Sequence, residues 1–318
     1  MYANSKDFPE IICIGQVLMD CIIQGDLNPS PSLPTQTTDS ITLSPGGDAF
    51  NEAVIFSRLG HRVQILCGLG RDMAGNALSA SLRDNGVDTS AIVYGETHKT
   101  PVSALFVNAA GNRRSVTTPA HRIAFFTPSP DSLPGASLVS LASLFRAPLD
   151  KPSVIHRVCR AAKAAGALVA ADVKLSNTPR LTLEDVRESL PYIDYLFPNE
   201  TEAEFYTGER DPHRMADVFL DYGVKNVILK LGADGCLAKN EKGSISLSAY
   251  PVDAVDTTGA GDNFAAGFLS SLLRGAQLKE ALEFGTACAA ICIQSVGAVT
   301  GVTDREQINA FLSHPPGR

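Results

Sequence analysis

The run AVDTTGAGDNFAAGF, Ala254–Phe268, places two aspartates, Asp256 and Asp262, six residues apart around Thr, Gly and Ala. Small residues let a backbone come close to a ligand. The segment that follows, DNFAAGFLSSLL, reads as an apolar helix, so Thr258, Gly259, Ala260 and Gly261 lead into a helix start. First-turn N–H groups have no partner inside the helix and lie at the positive end of its dipole, which suits an anion. Asp262 falls in that turn. A carboxylate beside an anion-binding helix end can take a proton from a hydroxyl that attacks a phosphoryl group. The plainer alternative is an aspartate that only stabilises a helix N-terminus. Three consecutive small residues before it weigh against that alternative.

The rest of the chain permits such a site. Its 318 residues can bury a large core, and 44% hydrophobic with 19% charged residues is ordinary for a globular protein. A net charge of −7 argues against a nucleic-acid surface, which needs a basic patch. No apolar run approaches the roughly 20 residues of a membrane-spanning helix. The start, MYANSKDFPE, lacks the basic and apolar regions of a signal peptide, so a cytoplasmic protein is expected. Seven cysteines at 13, 21, 67, 159, 236, 288 and 292 form no Cys-x-x-Cys pair and read as buried free thiols.

Short apolar runs at Glu10–Gly15, Val63–Leu69, Leu138–Phe145, Ala167–Asp172, Tyr192–Phe197 and Lys225–Leu231 predict strands. Helical patterns at Ala49–Leu59, Met73–Asn85, Pro152–Ala165, Leu183–Leu190, Glu200–Tyr206 and Pro212–Tyr222 alternate with them. Three more helices, Ala260–Arg274, Leu278–Gln294 and Arg305–Leu312, fill the last third. This alternation predicts an α/β sandwich, three layers deep, on a mostly parallel sheet. Asp20–Leu43 and Ala91–Thr118 break the rhythm with alternating runs and a turn near Gly111. They predict a small antiparallel sheet projecting as a lid from a single domain spanning residues 1–318. Its strand edges would invite pairing between two subunits.

Ser44–Gly75, SPGGDAFNEAVIFSRLGHRVQILCGLGRDMAG, offers a second site. Gly46 and Gly47 let a backbone approach a ligand, and Asp48 and Asn51 can hold hydroxyls; a turn with an Asp helix cap is equally compatible. GLGRDMAG is a poor dinucleotide fingerprint because its third glycine is misplaced, which leaves a nicotinamide oxidoreductase a remote reading. No P-loop and no His-Glu-x-x-His zinc motif occurs.

Together these stretches resemble the signatures of the ribokinase-like (PfkB) sugar kinases. DTTGAGDNFAAGFL resembles the C-terminal signature. Gly46-Gly47, Asn51, Gly60 and Gly70 are similar in spacing to the N-terminal one, about 200 residues upstream. PNETEAE, Pro198–Glu204, matches an Asn-x-x-Glu motif, and KLGADG, Lys230–Gly235, the nucleotide loop. The resemblance implies a ribokinase-like fold and ATP-dependent phosphorylation of a sugar hydroxyl. In it, Asp262 is the base and Gly259, Ala260 and Gly261 are the anion hole. Asp20, Gly46, Gly47, Asp48 and Asn51 hold the sugar. Asn199, Lys230, Gly232, Ala233, Gly235 and Thr286 face ATP, and Glu202 orders Mg²⁺. Some members bind a monovalent cation, potassium, at positions matching Asp256, Thr258, Cys292, Ser295, Gly297 and Gly301.

The chain departs from the ribokinase pattern at Asp48, where a lysine is usual, and at Arg146, where a glutamate is frequent. Arg146 and Lys174 both follow strand ends and are expected at the substrate. A nucleoside kinase or an inactive sugar-binding regulator on the same fold are the rival readings.

Overall fold

The computed structural model describes residues 9–25, 35–108, 113–118, 125–133, 135–175 and 181–317. The first half contains β1 (Ile11–Ile14), β2 (Leu18–Gln24), β3 (Ser40–Gly46), α1 (Asp48–Arg58), β4 (Val63–Leu66), β5 (Gly68–Gly70), α2 (Met73–Asp84), β6 (Val93–Gly95), β7 (Val102–Val107), β8 (Arg113–Thr117) and β9 (Leu138–Leu144). Then follow α3 (Pro152–Ala164), β10 (Leu168–Val173), β11 (Tyr195–Phe197), α4 (Glu200–Thr207), α5 (Pro212–Asp221), β12 (Asn226–Lys230), β13 (Cys236–Asn240) and β14 (Gly243–Leu247). Helices α6 (Ala260–Leu273), α7 (Leu278–Cys292) and α8 (Arg305–Ser313) close the chain.

The main sheet has the order β14-β13-β12-β11-β10-β9-β1-β4. Strands β1, β4, β9, β10, β11 and β12 are parallel, and β13 and β14 are antiparallel. Every residue of β1 and β9 is buried, as expected for strands covered on both faces. Their alternation sorts side chains into two cores. Ile11 and Cys13 point with Phe50 of α1, Leu78 of α2, Phe264 and Phe268 of α6, Ala287 of α7 and Ile308 of α8. Ile12 and Ile14 point with Val158 of α3, Ala203 of α4 and Phe219 of α5. Helices thus cover both faces, giving the three-layer α/β/α sandwich. Among the described residues no helix is long and apolar enough to cross a membrane, and all seven cysteines are free.

The small sheet has the order β3-β2-β7-β8. It is mixed where an antiparallel sheet was expected, because β2 and β7 run parallel. The AIVYGE run is no part of it: β6 pairs with β5 in a separate two-stranded sheet. The expected turn near Gly111, and residues 26–34 of the first lid segment, lie outside the described residues.

Three further expectations need correction. The segment 183–190 forms two 3₁₀ turns, Glu184–Val186 and Leu190–Tyr192, in place of a helix. Pro191 has no N–H to donate and cannot extend a helix from the preceding turn. The strand expected over Val63–Leu69 splits at Cys67, where the chain leaves β1 and turns to pair with β6. The β13–β14 hairpin was not anticipated, although CLAKNEKGSISL carries its signal, two runs around a two-residue turn, Glu241-Lys242, flanked by Asn240 and Gly243.

Candidate active site

A cleft of about 1000 Å³ opens at the C-terminal ends of five adjacent parallel strands. Its lining includes Gln16 after β1, Arg146 after β9, Lys174 after β10, Asn199 after β11, and Lys230 with Gly232 at the end of β12. Ligands of open α/β sheets bind at such strand ends because loops and helix starts converge there. Asp20, Leu105 and Ser115 of the small sheet form the facing wall.

Helix α6 begins at the cleft. Its cap, Gly259, has φ 78, and a Cβ there would stand 2.6 Å from that of Ala298. Only glycine fits this approach. The turn Thr257–Asp262 lines the cleft with the first turn of the helix, whose Ala260 N–H makes only a long bond, 3.3 Å, to the Thr257 carbonyl. Asp262 is 5% exposed. Its Oδ2 accepts from Asn51 Nδ2 at 2.7 Å, and its Oδ1 lies 3.6 Å from Lys174 Nζ. Burial pushes the Asp262 carboxyl up to about 7; Lys174 and Asn51 pull it down, while Asp48 and Asp172 push it further up. A carboxylate poised near neutrality is suited to accept a proton.

The structure revises the reading of Asp48. It does not cap α1, whose N-cap is Gly47 at φ 98. The Asp48 carboxylate instead accepts from Ser143 Oγ at 3.0 Å and pairs with Lys174 at 3.2 Å. The missing side chain of Gly46 leaves room for that of Asp20: a Cβ there would fall 2.4 Å from Asp20 Oδ2. Asp20 and Asn51 line the cleft as expected.

Arg146 follows Phe145, a buried residue in the left-handed region at φ 75 that packs on Tyr206 with ring centres 4.6 Å apart. Such a backbone costs energy in a non-glycine residue and is held by its surroundings. Arg146 lines the cleft, and its Nε donates to the Leu175 carbonyl at 3.0 Å. It pairs with no carboxylate among the described residues. The countercharge for the acidic cluster is Lys174.

Past the end of β12, Gly232 and Ala233 of the 3₁₀ turn, with Gly235, Tyr250, Val252, Thr286 and Ala289, make a more apolar part of the cleft. Gly235 has φ 97, and a Cβ there would collide with the Leu247 carbonyl at 2.0 Å. The Thr286 hydroxyl is spent on the Leu282 carbonyl at 2.7 Å, so it contributes a wall more than a polar contact. Lys230 Nζ lies beside Gly261 and pairs with Asp172 Oδ1 at 2.7 Å.

Glu202 and Asn199 form a capping box at the start of α4, with Asn199 N donating to Glu202 Oε2 at 2.8 Å and Glu202 N to Asn199 Oδ1 at 2.9 Å. Burial raises the Glu202 carboxyl, against the pull of Lys230. No group of three acidic, His or Cys side chains among the described residues could hold a metal directly. Glu202 is a buried carboxylate beside Asn199 of the cleft lining, which suits a magnesium ion carried mainly by phosphates and water.

The proposed monovalent-cation residues are also brought together. Asp256 accepts from Thr258 N and from Gly297 N, each at 2.9 Å. Cys292 Sγ lies 3.5 Å from the carbonyls of Thr258 and Ala298. Ser295 N donates to the Cys292 carbonyl, and Gly301 abuts Ile291. They form a loop cluster directly behind Gly259; Thr258 reaches the cleft lining and the other five lie outside it.

The family model described as "pfkB family carbohydrate kinase" matches residues 9–305. The chain belongs to the pfkB family of carbohydrate kinases. Among curated relatives, this kinase is 30% identical over 307 residues to the ribokinase of Haemophilus influenzae, covering 95% of this chain and 97% of that one. It is 29% identical over 331 residues to probable fructokinase-3 of Arabidopsis thaliana, covering 95% and 91%. Among solved structures it resembles Arabidopsis thaliana ribokinase complexed with ribose and ATP, at 26% identity and a TM-score of 0.83, covering 96% of this chain and 98% of that one. Thermotoga maritima ribokinase matches at 26% identity and a TM-score of 0.78, covering 96% and 100%. The kinase is therefore an ATP-dependent carbohydrate kinase with the ribokinase fold.

Sequence reasoning missed Asp172, Ser143 and Glu52. Asp172 ends β10 and clamps both cleft lysines. Glu52, fully buried on α1, accepts from the Ser140 hydroxyl at its Oε2, and its Oε1 has no partner among the described residues. Burial holds its carboxyl well above the usual range. The acidic residue ending an apolar strand was the available signal for Asp172; nothing in the sequence separated Glu52 from an exposed helix residue.

Proposed function

We propose that this kinase transfers the γ-phosphoryl group of ATP to a primary hydroxyl of a small sugar that carries an acidic group. The observation that carries the reaction is Asp262, buried in the first turn of α6 at the positive end of that helix, whose cap, Gly259, makes no side-chain hydrogen bond. Asp262 takes the proton from the acceptor hydroxyl. The acceptor oxygen bonds to the γ-phosphorus, and the bond from that phosphorus to the β–γ bridging oxygen breaks, its electron pair leaving on ADP. Gly259, Ala260 and Gly261 supply N–H donors to the transferring group, where charge spreads over its oxygens. Asp20, Gly47, Asp48 and Asn51 hold the sugar, and the turn at Gly232–Gly235 holds the nucleotide. Glu202 would order Mg²⁺, which neutralises phosphate charge when bound. Asp256, Cys292 and their loop would serve a potassium ion through carbonyls.

The acidic group is inferred from Arg146. Its charge is the cleft cation left without a carboxylate among the described residues, while Lys174 and Lys230 are each paired. A planar guanidinium suits bidentate capture of a carboxylate or phosphate. Arg146→Ala should lose kcat/KM on a sugar acid by about 10- to 100-fold more than on a neutral ketose, the value of a charged hydrogen bond. Equal losses on both substrates would leave Arg146 a structural role.

The small sheet is proposed as a lid whose outer face joins two subunits. Asp20, Leu105 and Ser115 put one face on the cleft. Strand alternation turns Ile41 and Leu43 of β3, Cys21 and Ile23 of β2, Phe106 of β7 and Val116 of β8 the other way. Ile41, Leu43 and Val116 are 66%, 67% and 63% exposed, an apolar face that a second copy would cover. Light scattering should give a dimer, and Leu43→Arg a monomer; a monomeric wild-type chain would reject the pairing.

A further inference from the structure

One ammonium group sits among three carboxylates. Lys174 Nζ lies 3.2 Å from Asp48 Oδ1, 3.4 Å from Asp172 Oδ2 and 3.6 Å from Asp262 Oδ1. The second oxygen of each is held elsewhere: Asp48 Oδ2 by Ser143 Oγ, Asp172 Oδ1 by Lys230 Nζ, and Asp262 Oδ2 by Asn51 Nδ2. The backbone of Lys174 is fixed as well, since its carbonyl accepts from the Tyr206 hydroxyl at 2.9 Å and its N–H donates to the Leu144 carbonyl at 3.0 Å. Its side chain is only 15% exposed. A long flexible residue is thus locked with its charge against the carboxylate proposed as base.

We propose that Lys174 is a positioning residue that keeps Asp262 ionised and aims its Oδ1 at the acceptor hydroxyl, with Asp172 as the tether that holds Lys174 there. The inference rests on the reading of Asp262 as the base. The groups facing Asp262 explain why a cation is required. Asp48, Asn51 and Glu52 approach from α1, Asp172 and Lys174 from the end of β10, and Cys292 from α7. Lys174 is the cation of this set. Burial alone would discharge it, but Asp172, Asp48 and Asp262 hold its ammonium well above the usual range, so it stays charged wherever the enzyme works. Without it, the groups left around Asp262 are carboxylates, a thiol and one amide, and the next cation, Lys230 beside Gly261, is committed to Asp172 at 2.7 Å. Asp262 would then carry a proton at neutral pH and could not accept another.

The test is the pH dependence of kcat/KM for the sugar at saturating Mg-ATP. The acid limb of such a profile reports the base before the sugar binds. Wild type should lose activity as pH falls through about 7, where Asp262 takes up its proton. Lys174→Met should move that limb to higher pH by about one unit or more, the size expected for removing a close opposite charge. Lys174→Arg should bring it back to near the wild-type position. Asp48→Asn, which removes a competing carboxylate from a partly buried position, should move the limb the other way. Melting curves identify which variants fold. A folded Lys174→Met with an unmoved limb overturns the proposal; if that variant does not fold, an unmoved limb in Asp48→Asn does so. Asp262→Asn in parallel separates the two claims. An active Asp262→Asn defeats the base assignment and this inference with it, whereas an inactive one with unmoved limbs defeats the role of Lys174 alone.

Discussion

Asp262→Asn is expected to lower kcat by about 10²–10⁴-fold, the usual cost of removing a general base. ATP affinity should be nearly unchanged. The amide keeps the size of the carboxylate, and its oxygen can still accept the Asn51 hydrogen bond seen at 2.7 Å. What it lacks is a place for the proton of the acceptor hydroxyl. The substitution should also alter stability in a pH-dependent way. Burial raises the folded-state carboxyl from 3.8 to about 7. A raised pKa means that the folded protein binds this proton more tightly than the unfolded chain does. The resulting stability is fully present below the unfolded value and is lost as pH rises through about 7. Asn cannot ionise, so the variant should gain melting temperature relative to wild type more at pH 8 than at pH 5. Melting scans at the two pH values check this. A difference between the two chains that does not grow with pH would show that Asp262 carries no burial cost.

Asp172→Ala is expected to destabilise the fold by about 3–5 kcal/mol, the cost of stripping one partner from a buried ion pair. The Asp172 side chain is fully buried and holds Lys230 at 2.7 Å and Lys174 at 3.4 Å. Removing it leaves two ammonium groups near one another, and Lys230 without a carboxylate in contact among the described residues. Activity should fall too, because Lys230 lies against the first turn of α6 and Lys174 against Asp262. Urea unfolding measures the loss. A change below about 1 kcal/mol would place the pair among exposed, weak ion pairs.

These two residues mark the boundary of what the sequence carried. Asp262 was legible because the small run Thr258–Gly261 and the apolar helix after it define a local structure with one chemical use. Gly47, Gly259 and Gly235 were legible for a similar reason, since a positive φ or a close approach leaves glycine little competition. The parallel sheet followed from buried strands alternating with helices. Asp172 was not legible as a site residue, because its importance comes from two lysines 2 and 58 residues away that only the strand order brings to it. Arg146 and Lys174 were both placed correctly after strand ends, but that Lys174 alone of the two would pair with the aspartates was decided by side-chain reach across strands. The strand β6 was misassigned for the same reason: alternation identifies a strand but not its partner, and β6 pairs with β5. Local chemistry was readable, and long-range pairing was not.

The central claim is that this cleft moves a phosphoryl group from ATP to a sugar, with Asp262 taking the proton. A single-turnover experiment tests it most directly. Enzyme in excess over γ-labelled ATP, with Mg²⁺ and a panel of neutral and acidic sugars, is quenched over time for wild type and Asp262→Asn. The account predicts that wild type places the label on a sugar, and that Asp262→Asn binds both ligands but transfers the label about 10²–10⁴-fold more slowly. Label appearing only as inorganic phosphate, or on sugar at the same rate with either chain, would contradict it.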